Sequence, residues 1–187
     1  MEEYLDLLNE DGSLRGIVKE RSAVHRDGDL HRTSHVWIAR KNKKNGIDIL
    51  LQKRSKNKDA YPGCYDISSA GHIPAGSDYI ESACRELKEE LGLEVEKEEL
   101  ILKGRRRIRW EETFHGALFR DNQISNIYLL WKDFEPEDLI LQKEEIESVM
   151  WMDYGKCVDG VKRNTFKNCI VLEELEMLLK VEGERKA

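Results

Sequence analysis

Three carboxylates, Glu86, Glu89 and Glu90, fall within one turn of chain. On a helix at about 100° per residue, Glu90 lies about 40° to one side of Glu86 and Glu89 about 60° to the other. They share an arc of about 100°, beside an apolar stripe centred roughly 115° away. Neighbouring like charges on a helix repel by a few tenths of a kcal/mol, roughly, per pair. A hard divalent cation bound among them removes that repulsion, so the cluster is a candidate site for such a cation. The plainer alternative is a solvated acidic helix face, and helix composition alone favours it. Arg85, directly before Glu86, carries a rigid fork of donors suited to carboxylates.

The element that must hold these residues is a helix over Asp78–Leu91. Ile80, Ala83, Cys84, Leu87 and Leu91 recur at helical spacing and form one apolar face. Asp78 can cap its start, with Glu81 three residues on completing a capping-box-like pair. Gly92 stands where a left-handed C-terminal cap is wanted. Upstream, Asp11-Gly12 between two alternating stretches predicts a hairpin of Tyr4–Leu8 and Leu14–Val18. A His-containing loop from His25 to Ser34 then leads to a strand over His35–Arg40. The Asn45-Gly46 turn leads into a strand over Ile47–Lys53, and Tyr61-Pro62-Gly63 punctuates the chain before a short strand, Tyr65–Ser69. Beyond the helix, Ile101–Arg107, Ile108–Phe119, Ile124–Trp131 and Ser148–Met152 read as strands, and Thr165–Lys180 as a second long helix. Arg105-Arg106-Arg107 on a strand would send Arg106 to one face and its neighbours to the other. Such a run is a solvated edge or a patch for phosphates. Trp110, Phe114 and Tyr128 serve equally as core or as stacking surface for a base. Mixed strands and helices imply an α/β class with a mixed or antiparallel sheet.

The run Gly71-His72-Ile73-Pro74-Ala75-Gly76, then Arg85-Glu86-Leu87-Lys88-Glu89-Glu90-Leu91-Gly92-Leu93, resembles the Nudix box of the Nudix hydrolase family. In its second half, Arg85, Glu86, Leu87, Glu89, Glu90, Gly92 and Leu93 match position for position. The resemblance implies an α/β/α sandwich with a mixed central sheet, and one domain over residues 1–187. Within it, residues 1–34 would form the N-terminal hairpin and His-containing loop, 71–93 the box and 165–180 the C-terminal helix. It also implies that Glu86, Glu89 and Glu90 hold Mg²⁺ or Mn²⁺, that Arg85 orients them, and that water cleaves a diphosphate linkage. The first glutamate of the box is replaced by Ser77, and Glu81 is the nearest substitute. A further acid from a later segment is implied as ligand or base. Glu145, in the run Glu144–Trp151, matches it best, with Glu111 and Glu112 as rivals.

The match continues outside the box. His25, His31, Arg54, Lys58, the Tyr61-Pro62-Gly63 turn and Gly71-His72 resemble the isopentenyl-diphosphate isomerase branch. That resemblance implies a second metal cluster of His25, His31 and His72, with Arg54 and Lys58 contacting phosphate. A hydrogen-bonded structural role for these histidines is the plainer alternative. The branch needs a cysteine directly before Gly-His, where this chain has Ala70, and an alkyl group moves no proton. A diphosphate hydrolase is therefore the expectation. An isomerase, and a non-catalytic nucleotide-binding module motivated by Ser77, are the alternatives.

Composition sets the outer bounds. The 187 residues carry 31 Lys and Arg against 37 Asp and Glu, a net charge of −6. This acidic balance argues against a general nucleic-acid binder. No stretch approaches the roughly 18 apolar residues of a membrane span, and the acidic Met1-Glu2-Glu3 start lacks a signal-peptide pattern. Cys64, Cys84, Cys157 and Cys169 form no CxxC pair and read as buried or incidental thiols in a reducing cytoplasm. The expected partner is a small-molecule diphosphate, and homodimers occur in the family.

Overall fold

The structure, a computed structural model, describes residues 3–179 except 59 and 115. Met1, Glu2 and Lys180 of the readings above lie outside the described residues. Buried Val36-Trp37-Ile38-Ala39 divides one strand's apolar side chains between two cores. This follows from the two-residue period of a strand covered on both faces. The strand, β3 (His31–Lys41), is the central element of the sheet. Trp37 and Ala39 join Ile49, Leu51, Ile127, Leu129, Leu175 and Leu178 on one side. Val36 and Ile38 join Leu50, Ala83, Leu87, Leu91, Tyr128 and Leu130 on the other. Truncating a fully buried leucine such as Leu87 to Ala costs about 2–5 kcal/mol in such a setting.

The expected hairpin forms as β1 (Tyr4–Leu8) and β2 (Leu14–Glu20), antiparallel. Next comes α1 (Arg21–Asp27), capped by the Glu20 side chain and ended by left-handed Gly28, where a loop was expected. After β3 follow β4 (Ile47–Arg54), β5 (Tyr65–Asp66) and β6 (Ser69–His72). The helix of the box is α2 (Tyr79–Leu91). Asp78 caps it through Ile80 N and Glu81 N, and Gly92 closes it at φ 67°. No capping box forms, because the Glu81 carboxylate turns instead to Lys97 at 2.6 Å. β7 (Leu100–Phe114) and β8 (Ala117–Trp131) form one long hairpin, so the two strands expected over Ile101–Phe119 are not separate. β9 (Ile146–Asp153) completes the set.

β8 runs parallel to β3 and the other pairings are antiparallel, so the sheet is mixed. β3 forks: Ala39–Lys41 pair with β4, while Thr33–Val36 pair with β6. Ser68 bridges the fork, accepting from Ile38 N at 2.8 Å and donating to Leu50 O at 2.7 Å. One edge of β6 is thereby left open beside a cleft.

The single helix expected over Thr165–Lys180 is replaced by α3 (Tyr154–Arg163) and α4 (Leu172–Leu178). Between them the chain is extended, because it pairs with the sheet. Tyr65 N donates to Lys167 O at 2.9 Å and Cys169 N to Tyr65 O at 3.0 Å. Left-handed Asn164 ends α3. With α2 on one face and α3 and α4 on the other, the architecture is the expected α/β/α sandwich.

Candidate functional site

β6 is flanked by the box acids. Glu86 packs its carboxyl against Gly71, where an added Cβ would lie 2.2 Å from Glu86 Cδ and Oε1. A turn later, Glu90 is buried and accepts from Ser69 Oγ at 2.6 Å. Burial raises the Glu86 carboxyl to about 7 and the Glu90 carboxyl to about 8. Arg85 forks between Glu86 Oε1 at 2.7 Å and Glu89 Oε2 at 2.6 Å. It also reaches His72 O at 3.5 Å. Glu89 is half-exposed. A half-buried acid, Glu86, and a buried one, Glu90, on one helix, with one guanidinium between Glu86 and Glu89, lack full charge compensation. Such oxygen donors fit a hard divalent cation.

Lys58 and Glu145 pair with each other and line the same cleft. Their charges also act on Glu90. Glu145 is therefore the later acid that the fold brings to the box. Glu111 instead meets Arg120 at 3.1 Å, and Glu112 accepts from the Tyr61 hydroxyl at 2.9 Å. Glu81, bound to Lys97, is not brought to Glu86. Arg54 donates to Ala60 O at 2.9 and 3.1 Å and to Asp66 at 3.0 Å, so it holds the loop before β5.

The three histidines converge. His25 on α1, His31 on β3 and His72 on β6 place one ring nitrogen each within 4.8 Å of the others. They are the one such group of three among the described residues. His25 Nδ1 faces Arg120 O at 3.2 Å and His31 Nδ1 faces Asp29 O at 3.0 Å. These carbonyls hold the Nδ1–H tautomer and leave Nε2 as the free lone pair. His25 Nε2 and His72 Nε2 approach to 3.0 Å, so at most one of the two carries a proton there. Burial lowers His25 and His31 to about 4 and lowers His72 well below its ordinary value. His31 Nε2 and Asp121 Oδ1 are both buried without a hydrogen-bond partner. They lie 3.7 Å apart, and burial raises Asp121 to about 6. Neutral imidazoles with an orphaned carboxylate oxygen beside them form a donor set that fits a transition-metal cation. Asp121 escaped sequence reading because its signal is spatial: Gln123 on β8 pairs with His31, and Asp121 is two residues before it.

A cleft of about 1800 Å³ runs along these groups, lined by His25, His72, Gly71, Lys58 and Glu145. Its outer wall is aromatic. Trp110 stacks on Phe119 at 5.5 Å and meets Tyr61 at 5.6 Å. Tyr128 is buried and takes no part. Of the arginine run, Arg105 lies over Tyr79, Arg107 pairs with Glu10, and Arg106 alone turns to α4.

Residues 29–168 match the NUDIX domain family. Nudix hydrolase 3 of Arabidopsis thaliana is 41% identical over 82% of this chain, which spans only 19% of that protein's length. An uncharacterized Nudix hydrolase of Clostridium acetobutylicum is 39% identical over 86% of this chain and 78% of its own. The isopentenyl-diphosphate Delta-isomerase of Serratia proteamaculans is more distant, 27% identical over 89% of this chain and 86% of its own. Among solved structures, DR0079 of Deinococcus radiodurans shares the fold, with a TM-score of 0.69 and 19% identity over 95% of this chain and 100% of its own. By the box, the forked sheet that carries it and the match over most of its length, the chain belongs to the Nudix family.

Proposed function

We propose that this chain is a divalent-metal-dependent hydrolase. Its substrate is a diphosphate linkage in a nucleoside diphosphate derivative or related organic diphosphate. The observation that carries the reading is the seat of Glu86. Its carboxyl occupies the space a side chain at Gly71 would take, with Glu90 buried one turn on and the cleft alongside. Mg²⁺ or Mn²⁺ bound by Glu86, Glu89 and Glu90 would neutralise negative charge on the diphosphate and on the attacking water. Arg85 keeps Glu86 and Glu89 oriented for that cation by its two forked contacts. Lys58 releases Glu145 to meet a phosphoryl oxygen, and Glu145 is then free to take a proton from water. Ser69 fixes the Glu90 carboxyl through Oε2.

His25, His31, His72 and Asp121 support a second cation at the other side of β6. An isomerase reading lacks a proton carrier at Ala70, whose methyl group holds none. A purely binding role lacks support from Ser77, because its replacement leaves the other box carboxylates in place. The test is release of the monophosphate products from a panel of nucleoside diphosphate derivatives and organic diphosphates with Mg²⁺ or Mn²⁺. Release that is lost in Glu90→Gln supports the reading. Unchanged release in that variant overturns it.

A further inference from the structure

His35 and Glu174 form a buried pair that the chemistry above leaves unused. His35 Nδ1 lies 3.0 and 3.1 Å from the two Glu174 oxygens. Glu174 sits on α4, outside the residues 29–168 that match the family. Its carboxylate also accepts from Trp37 Nε1 at 3.4 Å and from Arg106 Nη1 at 3.1 Å. Three donors on a carboxylate only 2% exposed keep it ionised and fix its plane. The carboxylate in turn fixes the proton on His35 Nδ1 and points the other edge of the ring elsewhere. That other nitrogen, Nε2, has no hydrogen-bond partner among the described residues. His35 lines the cleft. In the sheet it stands opposite Ala70, which lines the same cleft. His35 lies on the same face of β3 as His31 and Trp37, two residues beyond Thr33, the partner of His72.

We propose that His35 is a substrate-contacting residue that donates Nε2–H to an anionic oxygen of the bound diphosphate. Glu174, supplied by the C-terminal helix, is its positioning residue. The inference rests on the hydrolase reading for its substrate class and on the cleft geometry for everything else. With Nδ1–H held by Glu174, Nε2 donates as part of the imidazolium, the form favoured by the carboxylate beside it. Burial opposes a charged His35, but Glu174, Asp66 and Asp121 outweigh it and the pKa is raised, with Arg106 on β7 as the opposing cation beside Glu174. A pair that only docked α4 would have no need to leave Nε2 open to the cleft.

The probe is inorganic pyrophosphate added to the full chain labelled with ¹⁵N-histidine. The His35 signal is assigned by its loss in His35→Asn. Pyrophosphate is expected to shift the His35 Nε2 resonance in the unaltered protein. His35→Asn and Glu174→Gln are each expected to raise the pyrophosphate dissociation constant roughly tenfold, the loss of one charge-assisted hydrogen bond. Glu174→Asp should recover part of it. A His35 shift on binding without any phosphate release from diphosphates would support this contact and remove the hydrolase reading. Pyrophosphate binding that leaves His35 Nε2 unmoved would overturn the proposal. Two variants that lower the melting temperature yet bind pyrophosphate as tightly as before would overturn it as well.

Discussion

Gly71→Ala separates the catalytic geometry from the fold. The backbone at Gly71 is not left-handed, so alanine is conformationally acceptable there. In the unfolded chain alanine is the less costly residue to order, by about 0.4–1 kcal/mol. The added methyl, however, would sit 2.2 Å from Glu86 Cδ. Carbon atoms in contact rest about 3.5–4.0 Å apart, so the carboxyl must retreat by about 1.5 Å. The retreating group is the end of a flexible side chain, so the strand need not move. A misplacement of about 1 Å in a reacting assembly costs about 10²-fold in rate. The expected outcome is a fall of about 10²-fold in kcat/KM for phosphate release, equivalent to about 2.7 kcal/mol. The melting temperature should move by no more than a few degrees, since about 1 kcal/mol shifts a domain of this size by roughly 2–4 °C. Steady-state phosphate release with saturating Mg²⁺ or Mn²⁺, beside a thermal melt, reads both quantities. Full activity in a folded Gly71→Ala protein would refute the placement of Glu86 in the reaction.

Glu90→Gln should abolish phosphate release while keeping the fold, checked by activity and by circular dichroism. Without divalent cation, stability should decline as pH rises from about 4.5 through about 8. Glu86 and Glu90 have folded pKa values raised by burial, so their contribution is complete below the unfolded value of 4.5 and is lost as pH climbs past about 7 and about 8. Melting curves at pH 5, 7 and 9, with and without Mg²⁺, test this, and Glu90→Gln should flatten the slope. Co²⁺ titration followed by visible absorption should give a histidine-ligated spectrum that disappears in His72→Ala, while activity loss from Glu90→Gln leaves that spectrum intact. Arg85→Lys should cut kcat roughly tenfold, because a point charge cannot bridge Glu86 and Glu89 as the forked guanidinium does.

The helix α2 was legible because its signals are local. Its apolar period, the Asp78 cap and the Gly92 stop all lie within the segment they define. The acids at Glu86 and Glu90 were equally readable from spacing, and their burial follows from their place beside the apolar stripe. Two kinds of feature were not legible. Helix α1 is only about two turns long, too short for a periodic signal, and it is held by the Glu20 cap and by packing of Val24. The segment around Asn168 has helical apolar spacing but pairs with Tyr65 instead, so tertiary hydrogen bonds override the local pattern. The Glu174–His35 contact joins residues 139 positions apart, and the Asp121–His31 contact depends on the register of β8 against β3. Only the assembled sheet brings such pairs together. Glu81 shows the reverse error, in which proximity along the chain suggested a substitute ligand but the helix turns its side chain to Lys97.

The most direct test of the account is ³¹P NMR of a diphosphate substrate turned over in H₂¹⁸O with Mg²⁺. Hydrolysis by attack of water on phosphorus predicts a phosphate product carrying one ¹⁸O, seen as an upfield isotope shift, and no such product from Glu90→Gln. Turnover to an isomeric diphosphate without ¹⁸O, or labelled phosphate formed equally well by Glu90→Gln, would contradict it.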